Sequence, residues 1–363
     1  MPTSSLQPIA SSPLSLPEDS YIYAIYPTVN NSLAAISSDD SLSICDRSTL
    51  RLVPGGCIHN VHKGVTCLKG LDDSGNAVAT AGRDGVARIW DLRTGRMVGE
   101  LSRGSDSAAI LSLEGNSARN AIVTGTELDK QQAIVSLWDI RAPAAPSIQY
   151  VESHNDDVTE LAFHPSHPSL LLSGSTDGLV NIYDTTQTDE DEALYRVINL
   201  GSSIHHAGFL PSRKNGENDW SDIYALSHDE TLSIYSVTLP DLQSYLNAED
   251  QEDKGERPPV EFGDLRPRLG GEYVVNVIRA GSGGDGAMAA VGNHSEQRLD
   301  LIPLTEAQSS PMAAQSWDFN LQNIARLPGA HGEDIVRDVY VDDTSQTVFT
   351  AGEDGQIRAW KPA

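Results

Sequence analysis

A histidine, a hydroxyl and a carboxylate recur in the same order three times along the chain: His62, Thr80 and Asp84; His154, Ser173 and Asp177; His331, Thr350 and Asp354. Imidazole, alcohol and carboxylate are the parts of a nucleophilic triad, in which the base takes the hydroxyl proton and the acid orients the base. Each set is followed, six residues after the acid, by an aromatic ring: Trp90, Tyr183 and Trp360. A catalytic apparatus needs one copy, whereas a brace needs one copy per structural unit. The repetition favours bracing, with the partly buried His and Asp supplying each other's hydrogen-bond partner. Other chemistry is thin. There is no G-x-S-x-G elbow, no phosphate-cradling loop and no dinucleotide fingerprint. His164 and His167 in "FHPSHPSLL", and His205 and His206 in "SSIHHAGF", lack a third ligand at metal-site spacing. The Gly-rich "AGSGGDGAMAA" (280–290) reads as a hairpin turn. The expectation is a protein that is not an enzyme, with no catalytic residue, metal or cofactor.

The elements that carry these residues are short strands. In "AGRDGVARIWDLRTG" (81–95), Asp84-Gly85 is a tight-turn signal, and Val86, Arg88 and Trp90 alternate with Ala87 and Ile89 as in a strand. "TAGRDGVARIWD" (80–91) returns as "SGSTDGLVNIYD" (173–184) and "TAGEDGQIRAWK" (350–361), with weaker copies at 35–46, 123–139, 225–236 and 289–303. The equivalent third-strand positions are Cys45, Trp90, Trp138, Tyr183, Tyr235, Ile302 and Trp360, so seven units are expected, most near the length of one four-stranded propeller blade. "QSWDFN" (315–320) lacks the preceding turn and reads as an outer strand. "DLQSYLNAED" (241–250) is a candidate short helix.

The three complete His, Ser/Thr, Asp and aromatic sets resemble those of the WD-repeat β-propeller family, and the resemblance covers almost the whole chain. More narrowly, the chain is similar to the WD-repeat-containing protein 89 group of eukaryotes. The resemblance implies an all-β fold, a single seven-bladed propeller, in which each set is hydrogen-bonded inside one blade. Blades one, three, five and six depart from the pattern. The last repeat stops after its third strand, at Lys361-Pro362-Ala363, so part of residues 4–16 is expected to supply the missing outer strand; the alternative is an unstructured Ser/Pro-rich tail. The expected organisation is an N-terminal segment with the closing strand (1–20), then the propeller (21–363) with an acidic insertion at about 240–262. Residues 237–264 hold eight acidic and two basic residues, the composition of a mobile loop.

Formal net charge is −26, from 25 Lys and Arg against 51 Asp and Glu. Such a chain does not bind nucleic acid or anionic membrane by charge, which needs Lys and Arg; it favours basic partners. Three cysteines fit a reducing compartment. The N-terminus lacks the pattern of a secretory signal, and no stretch approaches the roughly 20 apolar residues of a membrane span. A monomer in the cytoplasm, the nucleus or both is expected. Loops that enter the inner strands and join second to third strands share one face of a propeller. Here they carry Asp39, Asp40, Asp156, Asp157, Glu333, Asp334 and Glu353, with Lys63 and Arg83 as the exception in blade two. The expected function is a non-catalytic scaffold whose acidic face binds a basic protein segment, in the manner of a ribosomal-protein or histone chaperone. An alternative rests on Trp90-Asp91-Leu92-Arg93 and Trp138-Asp139-Ile140-Arg141. These resemble the W-D-x-R boxes of substrate receptors that dock on the adaptor of cullin-type ubiquitin ligases, with Arg93 and Arg141 as docking residues.

Overall fold

Each Asp-Gly turn sits between the second and third strand of its unit, with Gly85 at φ +70°, Gly178 at +87° and Gly355 at +68°. L-residues avoid that region. At Gly355 the space is missing too: a Cβ there would lie 2.5 Å from the carbonyl oxygen of Ser20. The computed structural model describes residues 4–72, 74–104, 107–211, 220–238, 258–279, 286–307 and 316–363. Within them the chain is all-β, apart from short helices such as Glu190–Ala193 and Leu265–Leu269. Neither is long and apolar enough to cross a membrane.

Five sheets have four antiparallel strands each, taken consecutively from the chain: 22–58, 65–102, 110–150, 158–199 and 204–264. A nine-stranded sheet completes the set. It divides into one blade over 273–328 and another formed by three strands of 336–362 together with the N-terminal strand Ser4–Ser12. The count is consistent with the seven blades expected. The first strand of blade 1 packs against that of blade 7, so the ring closes.

The closing strand is held on both sides. Leu6 to Ser12 run antiparallel to Ile357–Pro362, while Ser4 and Ser5 pair in parallel with Ala325 and Arg326 of blade 6. The second pairing is possible because blade 6 has a divided outer edge. Its third strand, Arg298–Ala307, is covered by Ala325–Pro328 along one half and by Ser316–Phe319 along the other. "QSWDFN" is therefore an outer strand, as expected. Val260–Asp264, whose first residues fell within the expected insertion, is the outer strand of blade 5. The rest of that insertion, the candidate helix at 241–250 and the centre of the Gly-rich 280–290 stretch lie outside the described residues.

The innermost strands alternate with period two. Ile25, Leu68, Leu113, Leu161, Ala207, Val277 and Val339 are buried between blades. The opposite parity carries Lys69, Glu114, Glu160, His206, Asn276 and Asp338, half-buried around the axis. Several of these join neighbours: Lys69 Nζ is 3.1 Å from Glu114, His206 Nδ1 is 2.7 Å from Glu160, and Asp338 accepts from the backbone N–H of Ile25 at 2.8 Å. All seven first strands have a one-residue register shift at the end where the chain enters.

Candidate interaction face

The triad-like sets are internal braces by their geometry. In blade 2, Trp90 Nε1 donates to Thr80 Oγ1 at 2.8 Å, Thr80 Oγ1 lies 2.8 Å from His62 Nε2, and His62 Nδ1 lies 2.9 Å from Asp84. Blade 7 repeats the chain from Trp360 through Thr350 and His331 to Asp354, at 3.0, 2.8 and 2.6 Å. In blade 4, His154 is 2.6 Å from Ser173 and 3.1 Å from Asp177, with the Tyr183 hydroxyl 3.4 Å from Ser173. An indole N–H can only donate, so the Thr oxygen accepts it while also meeting the histidine Nε2. Burial pushes the His62 pKa down, against the pull of Asp84. Burial also works to raise the Asp84, Asp177 and Asp354 carboxyls, but their hydrogen bonds and the neighbouring charges of His62, Arg88, His154, His331 and Arg358 outweigh it and hold each below its ordinary value. With Thr80, Ser173 and Thr350 fully enclosed, no substrate reaches a hydroxyl. Blade 3 keeps only the Trp138 to Thr124 bond, at 3.2 Å.

Because strands alternate in direction, the loops entering each blade and the second-to-third-strand turns open on one face. The seven expected acidic residues all lie in those loops, but they do not act alike. Asp40 accepts from the backbone N–H of Gly64 (2.9 Å) and Val65 (2.7 Å), tying blade 1 to blade 2. Asp157 accepts from Leu128 N at 2.7 Å and ties blade 4 to blade 3. Asp39 is enclosed by the hydroxyls of Ser37 and Ser41, and Glu353 is ion-paired with Arg337. Among the described residues, Asp156 accepts only the N–H of its neighbour Asp157. Glu333 and Asp334 are exposed, and among the described residues nothing engages their carboxylates.

On the adjoining blade 1 the structure adds two residues that composition did not single out. Tyr21 and Tyr23, at the entry of blade 1, are 41 % and 37 % exposed, while Ile22 between them is fully buried. Alternation in "YIYAIYP" carries that signal: the strand turns Ile inward and presents two amphipathic rings outward. Blade 7 meets blade 1 here, since the Gly355 turn packs on Ser20.

Arg93 and Arg141 lie on the opposite face, between third and fourth strands. Each folds back on its own turn. Arg141 makes a two-pronged bond to Asp139 (2.8 and 2.7 Å), whose carboxyl it holds down at about 2, and Arg93 reaches Asp91 at 3.2 Å. Arg266 closes on Asp264 in the same manner outside any W-D-x-R box. His164 is a turn cap: its Nδ1 accepts from the backbone N–H of Ser166 (3.1 Å) and His167 (3.0 Å), and Nε2 lies 3.1 Å from Ser221 Oγ. Among the described residues, no group of three metal-ligating side chains comes together.

Comparison with known proteins agrees with this geometry. The profile of the WD domain, G-beta repeat, matches residues 55–91, 146–184 and 322–361, the three segments that hold the complete braces. The chain carries WD40 repeats. An uncharacterized WD repeat-containing protein of Saccharomyces cerevisiae is 29 % identical over 94 % of this WD40-repeat chain and 79 % of its own length. One from Schizosaccharomyces pombe is 28 % identical over 95 % and 96 %. The WD repeat-containing protein 89 homolog of Dictyostelium discoideum is 25 % identical over 91 % and 80 %. WD40-repeat proteins are generally protein-interaction scaffolds rather than enzymes.

Proposed function

We propose that this protein is a non-catalytic scaffold that captures a Lys/Arg-rich segment of another protein where blades 7 and 1 meet. The observation that carries the reading is that the entry of blade 1 exposes two rings, Tyr21 and Tyr23, while the entry of the adjoining blade 7 exposes the unengaged carboxylates of Glu333 and Asp334. A lysine or arginine side chain can stack on a tyrosine face, worth roughly 0.5–1 kcal/mol at an exposed site. It can also pair with a carboxylate, worth roughly 0–1 kcal/mol. Binding must therefore sum several contacts within the field of a molecule of net charge −26.

The test uses a fluorescein-labelled lysine-rich peptide and its anisotropy over a range of salt. Glu333→Gln with Asp334→Asn is expected to weaken binding and flatten the salt dependence, and Tyr21→Ser with Tyr23→Ser to weaken it with the salt slope kept. Asp40 and Asp157 are left intact, because they hold blades together. Arg93→Ala with Arg141→Ala, on the opposite face, is expected to leave this binding untouched; under the adaptor-docking alternative the same variant would abolish docking of the adaptor. Equal binding by wild type and by the variant lacking both carboxylates and both rings would sink the proposal.

A further inference from the structure

Blade 1 lies between two neighbours whose charges are engaged in opposite ways. On blade 7 the cation is occupied, since Arg337 is paired with Glu353, and the anions Glu333 and Asp334 are free. At blade 2 the anions are engaged: Asp40 of blade 1 accepts from the Gly64 and Val65 N–H groups, and Asp84 is bonded to His62 and Arg88. There the cations are free. Lys63 and Arg83 are exposed, and among the described residues no carboxylate or carbonyl engages either side chain. They belong to one spot, because the stem of Arg83 lies over Gly64, whose missing Cβ would be 3.1 Å from Arg83 Cδ, and the Arg83 N–H is bonded to Gly64 O at 2.8 Å. Blade 1, which exposes Tyr21 and Tyr23, lies between the blade with the free anions and the blade with the free cations.

We propose that this arc reads a bipolar segment: a partner peptide with Lys or Arg over blade 7, its middle against the two tyrosines, and an acidic side chain over Lys63 and Arg83. This rests on the basic-segment reading above and extends it to the other end of the bound peptide. The molecule's net charge makes the proposal sharp. A field that is negative overall favours the most positive peptide, so adding acidic residues to a basic peptide should weaken binding unless a local site rewards them. Free cations on blade 2 supply that reward, and a peptide lying the wrong way round meets like charge at both ends.

The experiment compares three labelled synthetic peptides of equal length: a lysine block followed by serines, a lysine block followed by glutamates, and the glutamate-first order. Anisotropy at one low ionic strength gives each Kd with the full chain. One of the two bipolar orders is expected to bind wild type roughly three- to tenfold more tightly than the lysine-serine peptide, although its net charge is less positive. Lys63→Glu with Arg83→Glu should abolish that advantage and leave the lysine-serine peptide bound at least as well. Lys63→Gln with Arg83→Gln gives the same reading without charge reversal, should the reversed variant melt early. The proposal is overturned if neither bipolar order exceeds the lysine-serine peptide, or if the advantage survives loss of both cations. Failure of the underlying reading looks different: the lysine-serine peptide would then ignore Glu333→Gln with Asp334→Asn.

Discussion

Thr80 shows how one hydroxyl decides the state of its neighbours. It accepts from Trp90 and is enclosed beside His62, so replacing it by a valine of the same shape leaves an indole N–H and an imidazole nitrogen without partners. Thr80→Val is expected to cost roughly 1–3 kcal/mol by urea unfolding, and Asp177→Ala or Asp354→Ala a similar amount. Full stability in these variants would remove the structural reading of the braces. His164 is the residue to watch as pH falls. Burial first, then the charges of His167 and Arg279, push its pKa down to about 4. The unfolded chain, near pKa 6.5, therefore takes the proton before the folded one does. Stability from this residue is intact above about pH 6.5 and lost as pH falls toward 4, by about 2 kcal/mol at pH 5. His164→Asn keeps an acceptor for the turn but does not titrate, so its unfolding free energy should change less between pH 7 and 5 than that of wild type. An unchanged slope would place the acid sensitivity elsewhere. Below the histidine range the brace carboxylates act in the same direction. Their folded pKa values are depressed, so their contribution is present above about pH 4 and lost as they protonate.

Among the elements, the N-terminal strand closes the last blade and also joins it to the blade before. Leu6 is 5 % exposed and packs with Trp360 and Leu327, so it ties three strands from two blades into one core cluster. Leu6→Ala should cost about 2–5 kcal/mol, the range for deleting a buried leucine side chain. Removing residues 1–16 should lower the melting temperature further, because the outer edges of blades 6 and 7 both lose a partner. Unchanged melting of the truncated chain would contradict the pairing. The blade 7 turn is equally specific. Gly355→Ala forces both a strained φ and a contact with Ser20 O, at the seam that carries Tyr21 and Tyr23. It is expected to destabilise by roughly 1–3 kcal/mol in thermal unfolding and to weaken peptide binding at the same seam.

At the scale of the molecule the excess of carboxylates dominates. A net charge of −26 repels itself over distances that salt screens within about 10 Å at 0.1 M. Bridges between blades, such as Arg47 to Asp342 at 2.9 Å and Lys69 to Glu114 at 3.1 Å, offset part of it locally and are screened less because they are partly buried. Raising sodium chloride from about 10 to 150 mM is therefore expected to raise the melting temperature, read by differential scanning fluorimetry. A fall instead would mean that the bridges outweigh the repulsion.

The repeat was legible in the chain because turn chemistry and strand alternation are local. Asp-Gly at a fixed offset from an aromatic ring located three third strands, weaker copies of the same unit located four more, and the His, Ser/Thr and Asp spacing located the braces, since each brace closes within one blade. The N-terminal strand could be expected from the missing outer strand after Trp360. Its parallel pairing with Ala325 and Arg326 could not, because that depends on the divided edge of blade 6. The acidic residues of the face were all visible as residues, and their loops placed them on one side. Which of them are free was decided only by the tertiary structure. Asp40 and Asp157 bond backbone groups 24 and 29 residues away, in an adjacent blade, so each carboxylate is fixed in place as a link between blades. The entry of blade 7, with Glu333 and Asp334, and the entry of blade 1, with Tyr21 and Tyr23, lie at opposite ends of the chain and fall on adjoining blades only because the ring closes.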